Sequence, residues 1–200
     1  MKKNQKKNTR GRIISAAWQL FYEQGYENTT VDEIIAKANT SKGSFYHYFK
    51  GKDALLSTLS NLFDEKYEEL MDVMDPSMSS YQKLLYLNNE LFSMIENSIA
   101  IDLLAGLLSS QLITRGEKSL LDRSRLYYRL LGRIMLEGQE AGELRTDLSV
   151  GELVKAYAIC ERAFLYDWCI SGGEYSLRSY SQKMLPVFLA DFRREKTGKE

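Results

Sequence analysis

Between Thr30 and Phe49 the chain reads TVDEIIAKANTSKGSFYHYF, a stretch that leaves the backbone few options. Val31, Ile34, Ile35 and Ala38 recur at helical spacing and form one apolar face. Thr30 followed by Glu33 makes a capping box, which satisfies two unpaired amides at a helix start. The spacing predicts a helix from Val31 to about Ala38. Asn39, Thr40 and Ser41 carry side chains that bond their own backbone and favour a turn, and Ser41 is placed to cap a second helix beginning near Lys42. Phe45 and Phe49 lie four apart and can pack inward on the first helix, which leaves Lys42, Ser44, Tyr46, His47 and Tyr48 on the remaining faces.

Two short helices joined by a tight turn, the second dense in small polar and aromatic residues, are the pattern of a helix-turn-helix whose second helix enters a DNA groove. Lys42 and the start of that helix suit a phosphate, Gly43 lets backbone come close to one, and the Tyr hydroxyls and His47 can bond phosphates or base edges. Lys52, just past the Lys50–Gly51 turn, offers a second anchor. For any single Tyr, amphipathic core filling is the competing reading.

Residues from about Lys7 to Lys66 resemble the DNA-binding domain of the TetR family of transcriptional regulators. The matching pieces are IISAAWQLFYEQGYENTT, VDEIIAKA and TSKGSFYHYFKGKDALL. The family pattern has Ala-Gly-Val-Ser at the turn and Tyr-x-His-Phe at the end of the recognition helix. Here the turn is Ala38, Asn39, Thr40, Ser41 and the end is Tyr46, His47, Tyr48, Phe49. Thr40 thus replaces the apolar turn residue, and Tyr48, which donates one hydrogen bond but carries no positive charge, stands where the family has His. The resemblance implies DNA contacts at Thr30, Ser41, Lys42, Gly43, Ser44, Tyr46, His47, Tyr48 and Lys52. It also implies a homodimer formed through the last two helices, a palindromic double-stranded operator, and a small apolar or amphipathic effector that releases the DNA. On this reading residues 1–8 are a disordered basic arm, 9–66 the DNA-binding domain with its helix-turn-helix at 30–49, and 67–200 a helical ligand-binding and dimerisation domain.

Charge is distributed in the same sense. The 27 basic and 27 acidic residues cancel over the chain, yet residues 1–53 hold ten Lys or Arg against five acids. A basic end attracts phosphates and steers encounter, while the acidic remainder keeps the rest of the surface off the duplex.

The remainder reads as all-α. Only two prolines occur, Pro76 and Pro186, and no alternating strand pattern runs beyond a few residues. Apolar spacing predicts a first helix capped near Thr9 and stopped by Gly25, then a long helix from Lys52 to about Met74. Further helices are expected over about Met78–Asn97 and Ile99–Ile113, the latter deep through Leu103, Leu104, Leu107, Leu108 and Leu112. The last three run over about Glu117–Ala141, Val150–Ile170 and Leu177–Arg194. Val154, Tyr157, Ala158, Phe164, Leu165 and Trp168 cover more than one face of the penultimate helix, so it needs two neighbours, in its own chain or in a twin. Met94, Tyr127, Tyr128, Phe164 and Trp168 are the candidate lining of an effector pocket, with plain core packing as the alternative. Asp102 is expected at a helix end or in solvent rather than facing a cationic ligand.

Other chemistries find little support. His47 is the one histidine, so a histidine-rich metal site or a Ser-His-Asp triad would have to be built on the recognition helix. Neither a catalytic residue, a metal site nor a cofactor is expected. Cys160 and Cys169 stand nine apart on one predicted helix, on opposite faces and about 13.5 Å apart along its axis, and cannot pair. Lack of a signal peptide or a long apolar run points to a cytoplasmic protein with no membrane partner. Two rivals to a ligand-responsive repressor stay open: an architectural or protein-partnered DNA-binding protein, and an enzyme acting on a small apolar molecule.

Overall fold

A computed structural model describes residues 2–113 and 118–193, with side chains from Thr9 onward. The side chains of the arm at 1–8, the helix start at Glu117 and the helix end at Arg194 lie outside the described residues. The described chain is helical: α1 (Lys2–Gln24), α2 (Val31–Lys37), α3 (Lys42–Tyr48), α4 (Asp53–Leu56), α5 (Leu59–Val73), α6 (Ser80–Ser98), α7 (Ile101–Ile113), α8 (Leu126–Glu140), α9 (Val150–Ile170) and α10 (Leu177–Phe188). Short 3-10 turns follow at Ser119–Leu121 and Ala190–Phe192. Extended pairing among the described residues amounts to an isolated bridge between Leu144 and Arg193. No single described helix is long and apolar enough to cross a membrane.

The chain divides into two compact units, residues 1–62 with 100–121, and residues 63–99 with 122–200. In the first unit Ile13, Ala17, Phe21, Ile34, Phe45, Phe49, Leu55 and Leu56 form a common core. Gly25, at φ +83°, stops α1, a conformation that costs glycine no Cβ clash. The helix begins at Lys2, so the cap expected at Thr9 falls inside it. Helix α7 belongs to this unit, not to the body as a division after residue 66 has it. The carboxylate of Asp102, in the first turn of α7, accepts the Tyr26 backbone N–H at 3.2 Å. Leu103, Leu104, Leu107 and Leu108 are buried as expected, but Leu112 is 71% exposed.

The long helix expected from Lys52 is broken after Leu56. Thr58 and Ser60 donate their hydroxyls to the carbonyls of Leu55 and Ser57, both at 2.6 Å, and Ser57 does the same to Ala54 at 2.7 Å. Three hydroxyls in four residues compete with the helix ladder and open it locally. Thr58 accepts a hydrogen bond from the Trp18 ring nitrogen at 3.0 Å, which fixes the break against α1.

The second unit packs α6, α8, α9 and α10. Ser79 with Gln82 and Ser149 with Glu152 form capping boxes that start α6 and α9. Helix α8 begins at Leu126, later than the sequence pattern has it, because Asp122 accepts the Ser124 N–H at 2.8 Å in a turn. With no side-chain cap of its own, α8 is anchored by Asp64. That carboxylate takes two bonds from the Arg125 guanidinium, at 3.0 and 2.9 Å, and faces the Tyr127 N–H at 3.4 Å. Helix α10 ends at Phe188, soon after Pro186, which gives no N–H to the ladder.

Val154, Tyr157, Ala158, Phe164, Leu165 and Trp168 are all buried within the single chain. Both neighbours that α9 needs at these positions are therefore its own. The apolar side chains left outside on α9 and α10 are different ones: Ile159, Ile170, Tyr180, Val187 and Phe188.

Candidate nucleic-acid interface

The helix-turn-helix is held by local chemistry at each of its corners. Thr30 caps α2, accepting the Glu33 N–H at 3.2 Å, while Glu33 accepts the Thr30 N–H at 2.7 Å and its hydroxyl at 2.8 Å. Those bonds hold the Glu33 carboxyl below its ordinary range. At the other end Asn39 adopts φ +47°, a left-handed conformation that asparagine tolerates better than most residues. The Thr40 N–H then reaches the Ile35 carbonyl and the Asn39 N–H the Ala36 carbonyl, both at 3.1 Å, which closes α2 in a Schellman turn. Ser41 caps α3 by accepting the Ser44 N–H at 3.1 Å.

This scaffold decides which side chains of α3 look outward. Phe45 and Phe49 are buried with ring centres 5.9 Å apart, and the Arg10 guanidinium lies 5.6 Å from the Phe49 ring centre. Ser41, Lys42, Gly43, Tyr46 and His47 are exposed, with Ser44 and Tyr48 half-buried beside them. Tyr46 stands edge-on to Phe45, with ring centres 5.3 Å apart, and His47 edge-on to Tyr48 at 4.9 Å. Lys42 makes a loose pair with Asp32 at 3.3 Å, both ends well exposed, so its ammonium is cheaply released to a phosphate.

Lys52 is placed differently from the phosphate anchor expected of it. Its ammonium donates to the carbonyls of Tyr26, Glu27 and Thr29 at 2.7, 3.2 and 3.0 Å, and sits 4.3 Å from the Tyr26 ring centre. Three bonds use all the donors an ammonium has. Lys52 thus ties down the loop between α1 and α2, where Tyr26 also donates its hydroxyl to Asp53. Sequence spacing could not foresee this, since the three acceptors are backbone carbonyls some 25 residues away.

None of the five residues proposed to line an effector pocket is among those lining the cavity between α6 and α10. Met94 lies half-buried on α6, Tyr127 and Tyr128 on α8, Phe164 and Trp168 on α9. Phe164 packs edge-on to Phe92, and Trp168 donates its ring N–H to the Tyr175 carbonyl at 2.8 Å. That cavity, of about 370 Å³, is lined by Leu85, Tyr86, Asn88 and Asn89 on one side and Ser181, Gln182 and Leu185 on the other. Cys160 and Cys169 are both free thiols, and burial pushes each up to about 11, so neither is a ready thiolate.

Sequence reasoning missed Glu161. It is buried on α9, accepts the Tyr127 hydroxyl at 2.7 Å and the Asn88 amide at 3.0 Å, and burial raises its carboxyl above the ordinary value of 4.5. The signal was present in the spacing, since Glu161 stands four residues from both Tyr157 and Leu165 on the apolar stripe of its helix.

Residues 13–59 match the family model of bacterial regulatory proteins, tetR family. Those residues carry a tetR-family domain. Among its relatives is the HTH-type transcriptional regulator QacR of Staphylococcus aureus, 32% identical over 84 residues, which are 42% of this chain and 45% of that protein. The fatty acid metabolism regulator protein of Bacillus subtilis is 25% identical over 185 residues, 90% of this chain and 93% of that one. The chain therefore spans less than half of the first relative and nearly all of the second. Among solved structures, FadR of Thermus thermophilus, a TetR-family transcriptional repressor in complex with lauroyl-CoA, superposes with a TM-score of 0.80 at 25% identity. That match covers 96% of this chain and 99% of that one. The family match runs from within α1 to the start of α5 and so includes α2 and α3, whose caps and outward face are described above, and the relatives are named as regulators.

Proposed function

We propose that this chain is a homodimeric, sequence-specific DNA-binding regulator of the tetR family, acting in the cytoplasm as a repressor that a small apolar or amphipathic effector releases from a palindromic operator. The outward face of α3 carries the reading. Lys42, Gly43, Tyr46 and His47 are exposed together on a helix fixed by Phe45 and Phe49, and Ser44 and Tyr48 flank them. Lys42 and the hydroxyls of Thr30, Ser41 and Tyr48 hold phosphates and set the register, while Ser44, Tyr46 and His47 address base edges. Lys52 acts from behind by holding the loop before α2.

One such helix reads only a few base pairs, so two copies related by a two-fold axis address half-sites a helical turn or a multiple apart. Apolar Ile159, Ile170, Tyr180, Val187 and Phe188, exposed on α9 and α10, support pairing through the last two helices. Effector control requires a ligand that binds the DNA-incompetent arrangement more tightly than the competent one, and the coupling is reciprocal.

Selection of genomic fragments by the purified protein at two salt concentrations tests the proposal. The expected product is a palindrome with half-sites at helical spacing. Retention that is salt-sensitive but blind to sequence would favour the architectural alternative, and no retention would reject the DNA-binding reading.

A further inference from the structure

Glu161 is a buried carboxylate without a basic partner. It is 4% exposed, and its hydrogen-bonding neighbours are neutral, the Tyr127 phenol and the Asn88 amide with the Tyr157 phenol beside them. It takes part in none of the ion pairs found among the described residues. The neighbouring Arg162 turns its guanidinium to the Tyr128 hydroxyl at 3.5 Å. A carboxylate taken out of water with only neutral donors is costly, and a cation against it recovers much of that cost.

The surroundings are those a cation seeks. Tyr67 and Tyr127 lie tilted against each other with ring centres 5.4 Å apart, and Tyr157, on the Glu161 helix, gives its hydroxyl to the Leu84 carbonyl at 2.8 Å. The Tyr67 hydroxyl is buried with no hydrogen-bond partner, a polar atom left over in the core. Asn88, which donates to Glu161, also lines the 370 Å³ cavity between α6 and α10, so the amide stands between that opening and the acid. A buried carboxylate with aromatic rings near it is a setting that suits an organic ammonium ion.

We propose that the effector of the helical body is an organic cation, an apolar molecule bearing an ammonium or similar positive group, which seats against Glu161 among Tyr67, Tyr127 and Tyr157. The inference rests on the reading of residues 63–99 and 122–200 as an effector-binding body. On entry the cation displaces the Asn88 amide as the charge partner of Glu161. An anionic ligand at this position would meet the carboxylate and be rejected.

Four probes with one apolar chain test the head group: dodecyltrimethylammonium, dodecanol, dodecanoate and dodecanoyl-CoA, titrated calorimetrically into the full-length protein below their micellar concentrations. The wild type is expected to bind the cation about ten-fold more tightly than the alcohol, with both anions weaker still. Glu161→Gln, which keeps the shape of the side chain, should bring the cation and the alcohol to comparable affinity. Should that variant fail to fold, the wild-type ranking of the four probes decides alone. An anion that binds as tightly as the cation, a Glu161→Gln protein that keeps the preference, or a protein that binds none of the probes would overturn the inference. Any of these with operator binding intact overturns it alone, whereas absence of an operator bears on the regulator reading whatever the probes do.

Discussion

The Tyr127 hydroxyl donates to the Glu161 carboxylate at 2.7 Å, joining α8 to α9 by a hydrogen bond from which water is excluded. With the Asn88 amide on the other oxygen, three helices meet at one acid. In a low-dielectric interior such bonds are strong, and losing either partner leaves a polar atom exposed to no solvent.

Burial holds Glu161 above the ordinary glutamate value of 4.5, so only between that value and the raised one does the folded chain keep a proton that the unfolded chain has released. Its contribution to stability is therefore largest below 4.5 and falls as pH rises through the raised value. Urea denaturation of the wild type and of Glu161→Gln, compared from acid to neutral pH, should show the wild type losing up to about 1.4 kcal/mol per pH unit relative to the variant. A difference that stays flat with pH would contradict the assignment.

Lys52→Met keeps the aliphatic stem and removes the three bonds to Tyr26, Glu27 and Thr29. A loss of about 2 kcal/mol in unfolding free energy is expected, in the range for hydrogen bonds to a charged group. The salt dependence of operator binding should keep its slope, because this ammonium neutralises no phosphate. A slope reduced by a full unit would return Lys52 to the interface.

Lys42→Ala is expected to lower the salt slope by about one, weakening all DNA alike. Tyr46→Ala should act otherwise. It removes a ring that is 49% exposed, so stability changes little, while operator affinity falls about ten-fold more than affinity for random DNA. Fluorescence anisotropy on both DNAs at several salt concentrations measures the two effects together, and equal losses for Tyr46→Ala would exclude a part in specific docking.

Two glycines of α8 should respond in opposite directions to alanine. At Gly132 a Cβ meets nothing within 4 Å, and Gly132→Ala should raise stability by about 0.5–1 kcal/mol through helix propensity. At Gly138 it would stand 2.7 Å from Leu144 Cδ1 and Ser80 Cβ, so Gly138→Ala should cost about 1–3 kcal/mol by overpacking. Thermal melting of the two variants checks the signs.

What was legible in the sequence was mostly local. Thr30 with Glu33, Ser41, and Ser149 with Glu152 announce helix starts because a cap needs only residues three positions apart, and the structure places all of them. The face of α3 followed from Phe45 and Phe49 alone. Features fixed by contacts distant in sequence were not legible. The break at Ser57–Thr58 looked like continuing helix, since Leu55, Leu56, Leu59 and Leu62 keep their period across it. The Lys52 ammonium could not be told from a surface charge before the loop from Tyr26 to Thr29 was placed beneath it. Glu161 and Asn88 sat at buried spacings among apolar residues, yet a polar residue on an apolar stripe gains meaning only when its partners on other helices are known.

The two tryptophans of the chain fall one to each compact unit, and each is clamped by its ring nitrogen, Trp18 on the Thr58 hydroxyl and Trp168 on the Tyr175 carbonyl. The protein thereby carries a separate fluorescent witness for each half. Replacing one indole by Phe leaves the other to report alone, and whether the DNA-facing and helical-body units melt as one or in succession becomes a question of emission colour.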